Sequence, residues 1–153
     1  MATRLGGLHH VALVTEDLDR LTGFYRDVFD ADIGFVMEED GVRRAMIDLG
    51  SGAALHPFEI ADNPNGRGLP GPFVRGHIDH LALNVPDPDT FEALRDRLVE
   101  AGVSDGTVTD FGSVRSVSFQ DPDGADCEIA IWCHGVHPRR FEDRTVEIHR
   151  TAI

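Results

Sequence analysis

Gly76-His77-Ile78-Asp79-His80-Leu81-Ala82-Leu83-Asn84-Val85 decides the fold, because the chain has used its pattern once before, in Gly7-Leu8-His9-His10-Val11-Ala12-Leu13-Val14. A shift of 70 positions places His10 on His80, Ala12 on Ala82, Leu13 on Leu83, Asp17 on Asp87 and Asp19 on Asp89. Self-similarity at a fixed offset marks a repeated structural unit, and two copies mean a duplicated module, not a solenoid. The frame is His, a hydrophobe, Ala, Leu, followed by an Asp-rich turn.

Working outward from the first copy, Leu8 to Val14 alternates His10, Ala12 and Val14 with His9, Val11 and Leu13, the signature of a strand. Thr15 or Asp17 can cap a following helix, and acidic residues suit its first turn. Leu18, Leu21, Tyr25 and Val28, with Phe24 and Phe29 beside them, recur at helical spacing, so the helix ends near Phe29 or Asp30. Ile33 to Met37 reads as a strand, Asp40-Gly41 as a hairpin turn, Arg43 to Leu49 as the returning strand, and Ala53 to Phe58 as another after Gly50-Ser51-Gly52. Residues 8–58 thus form a first strand-helix-three-strand module.

Residues 59–76 carry Asn63-Pro64-Asn65-Gly66, Gly68, Pro70-Gly71-Pro72 and Gly76, a density of breakers that reads as a linker and binding loop or lid. The second module, 77–133, repeats the order. His77 to Val85 is a strand. Asp87 to Ala101 is a helix with Phe91, Leu94 and Leu98 on its stripe, closed by Gly102. Val108 to Phe111 and Val114 to Phe119 are strands, Asp121-Pro122-Asp123-Gly124 is a turn, and Asp126 to Trp132 is the last strand. The tail, 134–153, has no counterpart in the repeat, although Val146, Ile148 and Ala152 hint at an extra strand. The fold class is α+β: two tandem βαβββ modules in a single domain of residues 1–153, forming a curved mixed sheet.

Composition narrows the function. A chain of 153 residues with 41% hydrophobic content can bury a core of its own. No apolar run approaches the roughly eighteen residues of a membrane span, and Met1-Ala2-Thr3-Arg4-Leu5 lacks the build of a signal peptide, so a cytoplasmic protein is expected. A formal charge of −13 repels nucleic acid and anionic membranes, leaving a small molecule as the expected partner. All fourteen basic residues are Arg, which excludes a lysine Schiff base or a P-loop lysine. Cys127 and Cys133 on one extended strand lie about 20 Å apart, too far for a disulfide, and read as reduced packing thiols.

With the copies aligned on Gly52 and Gly124, His56 falls opposite Glu128, each four residues after its glycine. Four metal-ligand types then occupy corresponding positions: His10 and His56 in one module, His80 and Glu128 in the other. Parity sets His80 with Ala82, and Glu128 with Asp126, Ala130 and Trp132, leaving Ile129 and Ile131 to pack under the helices. The small alanines leave room for converging ligands. Three imidazoles and a carboxylate suit Fe(II), Ni(II), Co(II), Mn(II) or Zn(II), and a His/His/Glu subset is a two-histidine, one-carboxylate triad with open positions. Glu59 and Asp126 are lesser ligand candidates. Arg115 and Arg75 can pair with a substrate anion, an ordinary ion pair being the commoner use. His9, His77, His134, His137 and His149 read as ordinary polar groups.

These residues carry a resemblance to the vicinal oxygen chelate superfamily, which includes glyoxalase I, extradiol ring-cleaving dioxygenases, methylmalonyl-CoA epimerase, fosfomycin-resistance enzymes and bleomycin-binding proteins. It spans roughly residues 8–133 and rests on His9-His10-Val11-Ala12-Leu13, on His80-Leu81-Ala82-Leu83, and most specifically on Ser116-Val117-Ser118-Phe119-Gln120-Asp121-Pro122-Asp123-Gly124 leading to Glu128. The resemblance implies paired modules around a divalent metal that holds two neighbouring substrate oxygens as a Lewis acid. It also implies a homodimer, with modules paired within one chain or exchanged between two.

Glyoxalase I usually has a ligating, proton-moving Glu at the place of His56, whereas extradiol enzymes place an active-site histidine there. Those enzymes also have a histidine in the strand holding Phe111 and a tyrosine near Ser118, and this chain has neither. His56 thus favours oxygenation and the two missing residues count against it, so these departures offset each other and leave the shared Lewis-acid chemistry. The leading expectation is glyoxalase- or epimerase-like proton transfer beside a metal-bound carbonyl, with His56 or Glu128 as base. The alternatives are an extradiol dioxygenase and an antibiotic-binding resistance protein.

Overall fold

Asp17 starts the first helix: its Oδ1 accepts from the backbone N–H of Arg20 at 2.9 Å, satisfying one of the open donors of the first turn. The helix, α1 (Leu18–Phe29), buries Leu18, Leu21, Thr22, Tyr25 and Val28 and stops at Asp30, whose left-handed φ of 55° ends the hydrogen-bond ladder. In the computed structural model, which describes residues 8–63, 78, 80–112, 114–133 and 149–151, this helix belongs to the first of two compact units, Met1–Leu69 and Pro70–Ile153.

The first unit surrounds α1 with β1 (His10–Thr15), β2 (Ile33–Glu39), β3 (Val42–Asp48) and β4 (Ala54–Ile60). The sheet order is β1-β4-β3-β2, so the first strand lies parallel to the last and the other neighbours are antiparallel. Asp40 and Gly41 both take positive φ, 51° and 76°, as a two-residue hairpin of matching twist requires. α1 lies across β3 and β4, and Ala45, Ile47, Leu55 and Pro57 are buried beneath it. Each large apolar side chain so removed from water contributes about 1.5–3 kcal/mol.

The second unit repeats this plan with β5 (Leu81–Asn84), α2 (Pro88–Glu100), β6 (Val108–Asp110), β7 (Val114–Gln120) and β8 (Asp126–Trp132). Its order, β5-β8-β7-β6, is that of the first sheet, and β9 (His149–Thr151) adds a fifth strand antiparallel to β6. The chain thus forms two βαβββ modules of mixed sheet, as the repeat predicts. Asp87 caps α2 through the backbone N–H and the hydroxyl of Thr90, both at 2.8 Å, and Pro88 occupies the first turn, where its missing N–H costs nothing. Phe91 and Leu98 are buried, whereas Leu94 is only half-buried. Val117, Phe119, Cys127, Ile129 and Ile131 form the buried face of the sheet. Gly52 and Gly124 share a φ of +80° at matching turns, a conformation in which a side chain is strained.

Of the boundaries that differ from the sequence reading, three bear on the linker, the second site strand and the tail. β4 runs to Ile60, two residues into the stretch read as linker, because Glu59 is tied down on its inner side. The strand read from His77 to Val85 is ladder only over Leu81–Asn84, where β8 offers Cys127 to Ala130 as partners; His80 lies just before it, and His77 and Asp79 lie outside the described residues. The extra strand of the tail is His149–Thr151; Val146, Ile148 and Ala152 lie outside the described residues, as does the rest of the linker from Pro64. Cys127 is buried, Cys133 half-buried, and both are free thiols. Among the described residues no helix is long and apolar enough to cross a membrane.

Candidate active site

In the first unit the face turned away from α1 carries the chemistry. Parallel register puts Ala12 beside His56, flanked by His10 opposite Ala54 and Val14 opposite Phe58. The rings of His10 and His56 have centroids 5.7 Å apart. Phe58 packs on His56 at 4.4 Å and Phe35 meets it edge-on at 5.9 Å, so two aromatic walls hold the imidazole in one orientation. The face is otherwise open: Val14 and Met37 each remain 45% exposed, which leaves apolar surface available to a substrate.

His56 Nε2 is buried and has no hydrogen-bond partner among the described residues. A buried polar atom without a partner costs free energy that a ligand can recover. Burial, then the neighbouring His10, then the positive charge of Arg44 push the His56 pKa below its ordinary value, so the ring is held neutral with a lone pair to give. A neutral imidazole is what a divalent cation requires and equally what a proton acceptor requires. A divalent metal therefore fits at His56, with His10 beside it.

In the second unit Ala82 is the register partner of Glu128, which in turn pairs with Ser118 on β7. Glu128 is half-buried, and Ala82 offers only a methyl group beside it. Asn84, Ala130 and Trp132 continue this face and, with Ala82, Val114 and Ile131, line a concavity of about 170 Å³. His80 is exposed at the entry to β5. Within either unit, among the described residues, no three His, Cys, Asp or Glu side chains gather as a metal site.

Glu59 lies on the helix side of its sheet, where its carboxylate accepts the Leu18 N–H at 2.7 Å and pairs with Arg43 at 3.0 Å. That role is structural and removes it from the His56 face. Asp126 accepts from the Gln120 amide at 3.2 Å. Arg115 pairs with Glu92 at 3.6 Å and sits over the Phe91 ring, on the helix side and away from Glu128; it forms the ordinary ion pair weighed against an anion site. Arg75, His134 and His137 lie outside the described residues. Sequence reading missed Arg44. It pairs in register with Phe58 and Met37, so it shares the His56 face, and it is held by one 3.3 Å contact to Glu39. Counting parity back from the Asp40-Gly41 hairpin would have found it.

Duplicated βαβββ modules, each with a ligand-type side chain set beside an alanine of the adjacent parallel strand, define the class of protein. Residues 7–129 match the model of the Glyoxalase/Bleomycin resistance protein/Dioxygenase superfamily, and the chain belongs to that superfamily. It is similar to mitochondrial methylmalonyl-CoA epimerase of Mus musculus, 38% identical over 65 residues that span 40% of this chain and 36% of that relative. Among solved structures it resembles a glyoxylase/bleomycin resistance protein/dioxygenase domain from Frankia sp. EAN1pec (TM-score 0.70, 22% identity, 84% of this chain and 99% of that one). It also resembles the fosfomycin resistance protein FosX of Listeria monocytogenes complexed with Mn(II) and sulfate (TM-score 0.60, 20% identity, 85% and 95%).

Proposed function

We propose that this chain is a metal-dependent enzyme that moves a proton at a carbon next to a carbonyl, as glyoxalase I and methylmalonyl-CoA epimerase do. The observation that carries the reading is the buried, unpartnered Nε2 of His56, held neutral beside His10 on an open face. The reading takes His10, His56, His80 and Glu128 as the divalent-metal ligands, with His56 and Glu128 also the groups able to handle the proton. Bound there, the metal supplies Lewis-acid stabilisation of the negative charge that develops on the substrate oxygens.

The protein's own groups do the rest. A carboxylate or neutral imidazole takes the proton from the carbon, and the electron pair of the broken C–H bond moves to the carbonyl oxygen. Glu128 serves as base when it is free to swing toward substrate, with Ala82 leaving the space; His56 serves when its Nε2 is free. Return of the proton to the other face of the carbon is epimerisation, and return to a neighbouring carbon is the glyoxalase outcome. Arg44 adds positive charge for an acidic substrate on the same face. Likeness to a methylmalonyl-CoA epimerase makes an acyl-thioester with a carboxylate the first substrate to try.

The test is anaerobic. Protein loaded in turn with Co(II), Ni(II), Mn(II), Zn(II) or Fe(II) is incubated in D2O with methylmalonyl-CoA and, separately, with the methylglyoxal–glutathione hemithioacetal. Deuterium entering the substrate or product carbon supports the reading; turnover only with Fe(II) and oxygen on a catechol panel overturns it in favour of ring cleavage. The reading carries with it a cytoplasmic homodimer acting on a small molecule; light scattering of the purified chain checks the dimer.

A further inference from the structure

His9 Nδ1 lies 2.7 Å from His10 Nδ1, with the rings edge to face at 5.0 Å. A contact that short between two ring nitrogens requires a proton between them, so one imidazole donates and the other accepts. If His9 donates, a neutral His10 carries its own proton on Nε2 and has no lone pair there. If His10 donates, its Nε2 is the nitrogen left with a lone pair. His56 Nε2 has no hydrogen-bond partner among the described residues, so His10 does not donate an Nε2–H to it.

We propose that His9 is a positioning residue: its Nδ1 accepts the Nδ1–H of His10 and fixes His10 in the tautomer whose Nε2 can take a divalent cation. The assignment rests on the reading of His10 as a metal ligand. Ligating histidines are held in this way by a partner on the second ring nitrogen, which sets both tautomer and ring plane. The backbone of His9 is itself anchored, because its carbonyl accepts the N–H of Ala54 at 3.0 Å, where β1 meets β4. The backbone that carries the ring is therefore fixed beside His10. In sequence, the 70-residue shift sets Asp79, another acceptor, immediately before His80.

The test separates tautomer from metal binding. Long-range 1H–15N correlation spectra of the metal-free protein, recorded where imidazoles are neutral, are expected to show His10 protonated on Nδ1. In His9→Ala the spectrum should move to the Nε2–H form that a free imidazole prefers, and His9→Asn, with an amide oxygen to accept, should restore it. Titration with Co(II) alone should show His9→Ala weakened about 10–100-fold and His9→Asn near the parent. An Nε2–H tautomer in the parent, or one unchanged by His9→Ala, overturns the assignment. If the parent takes up no Co(II), the proposed function fails, and the tautomer spectra alone decide the role of His9. His9 is exposed and precedes β1, so both variants retain the fold, which amide spectra verify.

Discussion

Ala82 stands opposite Glu128 across the parallel pairing of β5 and β8, as Ala12 stands opposite His56 across β1 and β4. Each module thus sets a methyl group beside a side chain that can bind a metal or move a proton. The repeat keeps a small residue beside a ligand-type side chain in both modules.

Filling that space should harm binding without harming the fold. Ala82 is exposed, so Ala82→Leu is expected to change unfolding stability by no more than about 0.5 kcal/mol. The same substitution crowds Glu128 and should weaken Co(II) binding at least tenfold by calorimetric titration. A destabilised variant with intact affinity would show that the alanine serves packing alone.

His56 gives the opposite contrast. Its buried Nε2 contributes nothing to the metal-free fold, so His56→Leu, which buries apolar atoms against Phe35 and Phe58, should leave metal-free stability equal or raise it by about 1 kcal/mol. Co(II) uptake should disappear. Thermal unfolding with and without Co(II) reads both, and a large loss of stability in the metal-free variant would refute the assignment.

Glu59 separates ligand from scaffold. Glu59→Gln loses the charge from its bonds to the Leu18 N–H and to Arg43, and a partly exposed group of this kind should cost about 1 kcal/mol. Co(II) affinity should stay within twofold. Loss of Co(II) binding in a stable Glu59→Gln protein would restore Glu59 as a ligand.

Asp87 gives a pH signature. The Thr90 backbone N–H first, then the Thr90 hydroxyl, hold its carboxyl below the ordinary 3.8. A carboxylate depressed in the folded state stabilises above its unfolded pKa and loses that contribution as pH falls through its folded pKa. The stability difference between the parent and Asp87→Ala should therefore be constant near neutrality and shrink on acidification below about pH 4. Unfolding midpoints across an acid series measure it; a difference that grows on acidification would reverse the sign.

Much of this was legible from residues alone. Leu18, Leu21, Tyr25 and Val28 mark α1 because a 3.6-residue period has one buried side, and Asp40-Gly41 marks its hairpin because few residues accept two positive φ angles in succession. The repeat singles out Ala82 and Glu128, but their pairing is not legible in the sequence, since nothing local brings β5 to β8. Arg44 went unnoticed and Glu59 stayed a lesser candidate for one reason: charge alone does not say which face of a sheet a side chain occupies, and one residue of register exchanges the two. Strand β5 is a ladder over Leu81–Asn84 among the described residues, and alternation through His80 does not by itself say where pairing begins.

In both modules the first strand takes the last as its parallel neighbour, with helix and hairpin threaded between them. His10 leaves the ribosome well ahead of His56, and the two rings share a face only after β4 has docked along β1. Pairings so distant along the chain close late in folding. A nascent or truncated chain ending before β4 therefore holds His10 without His56 beside it, so Co(II) capture would report that β4 has been made and has docked along β1.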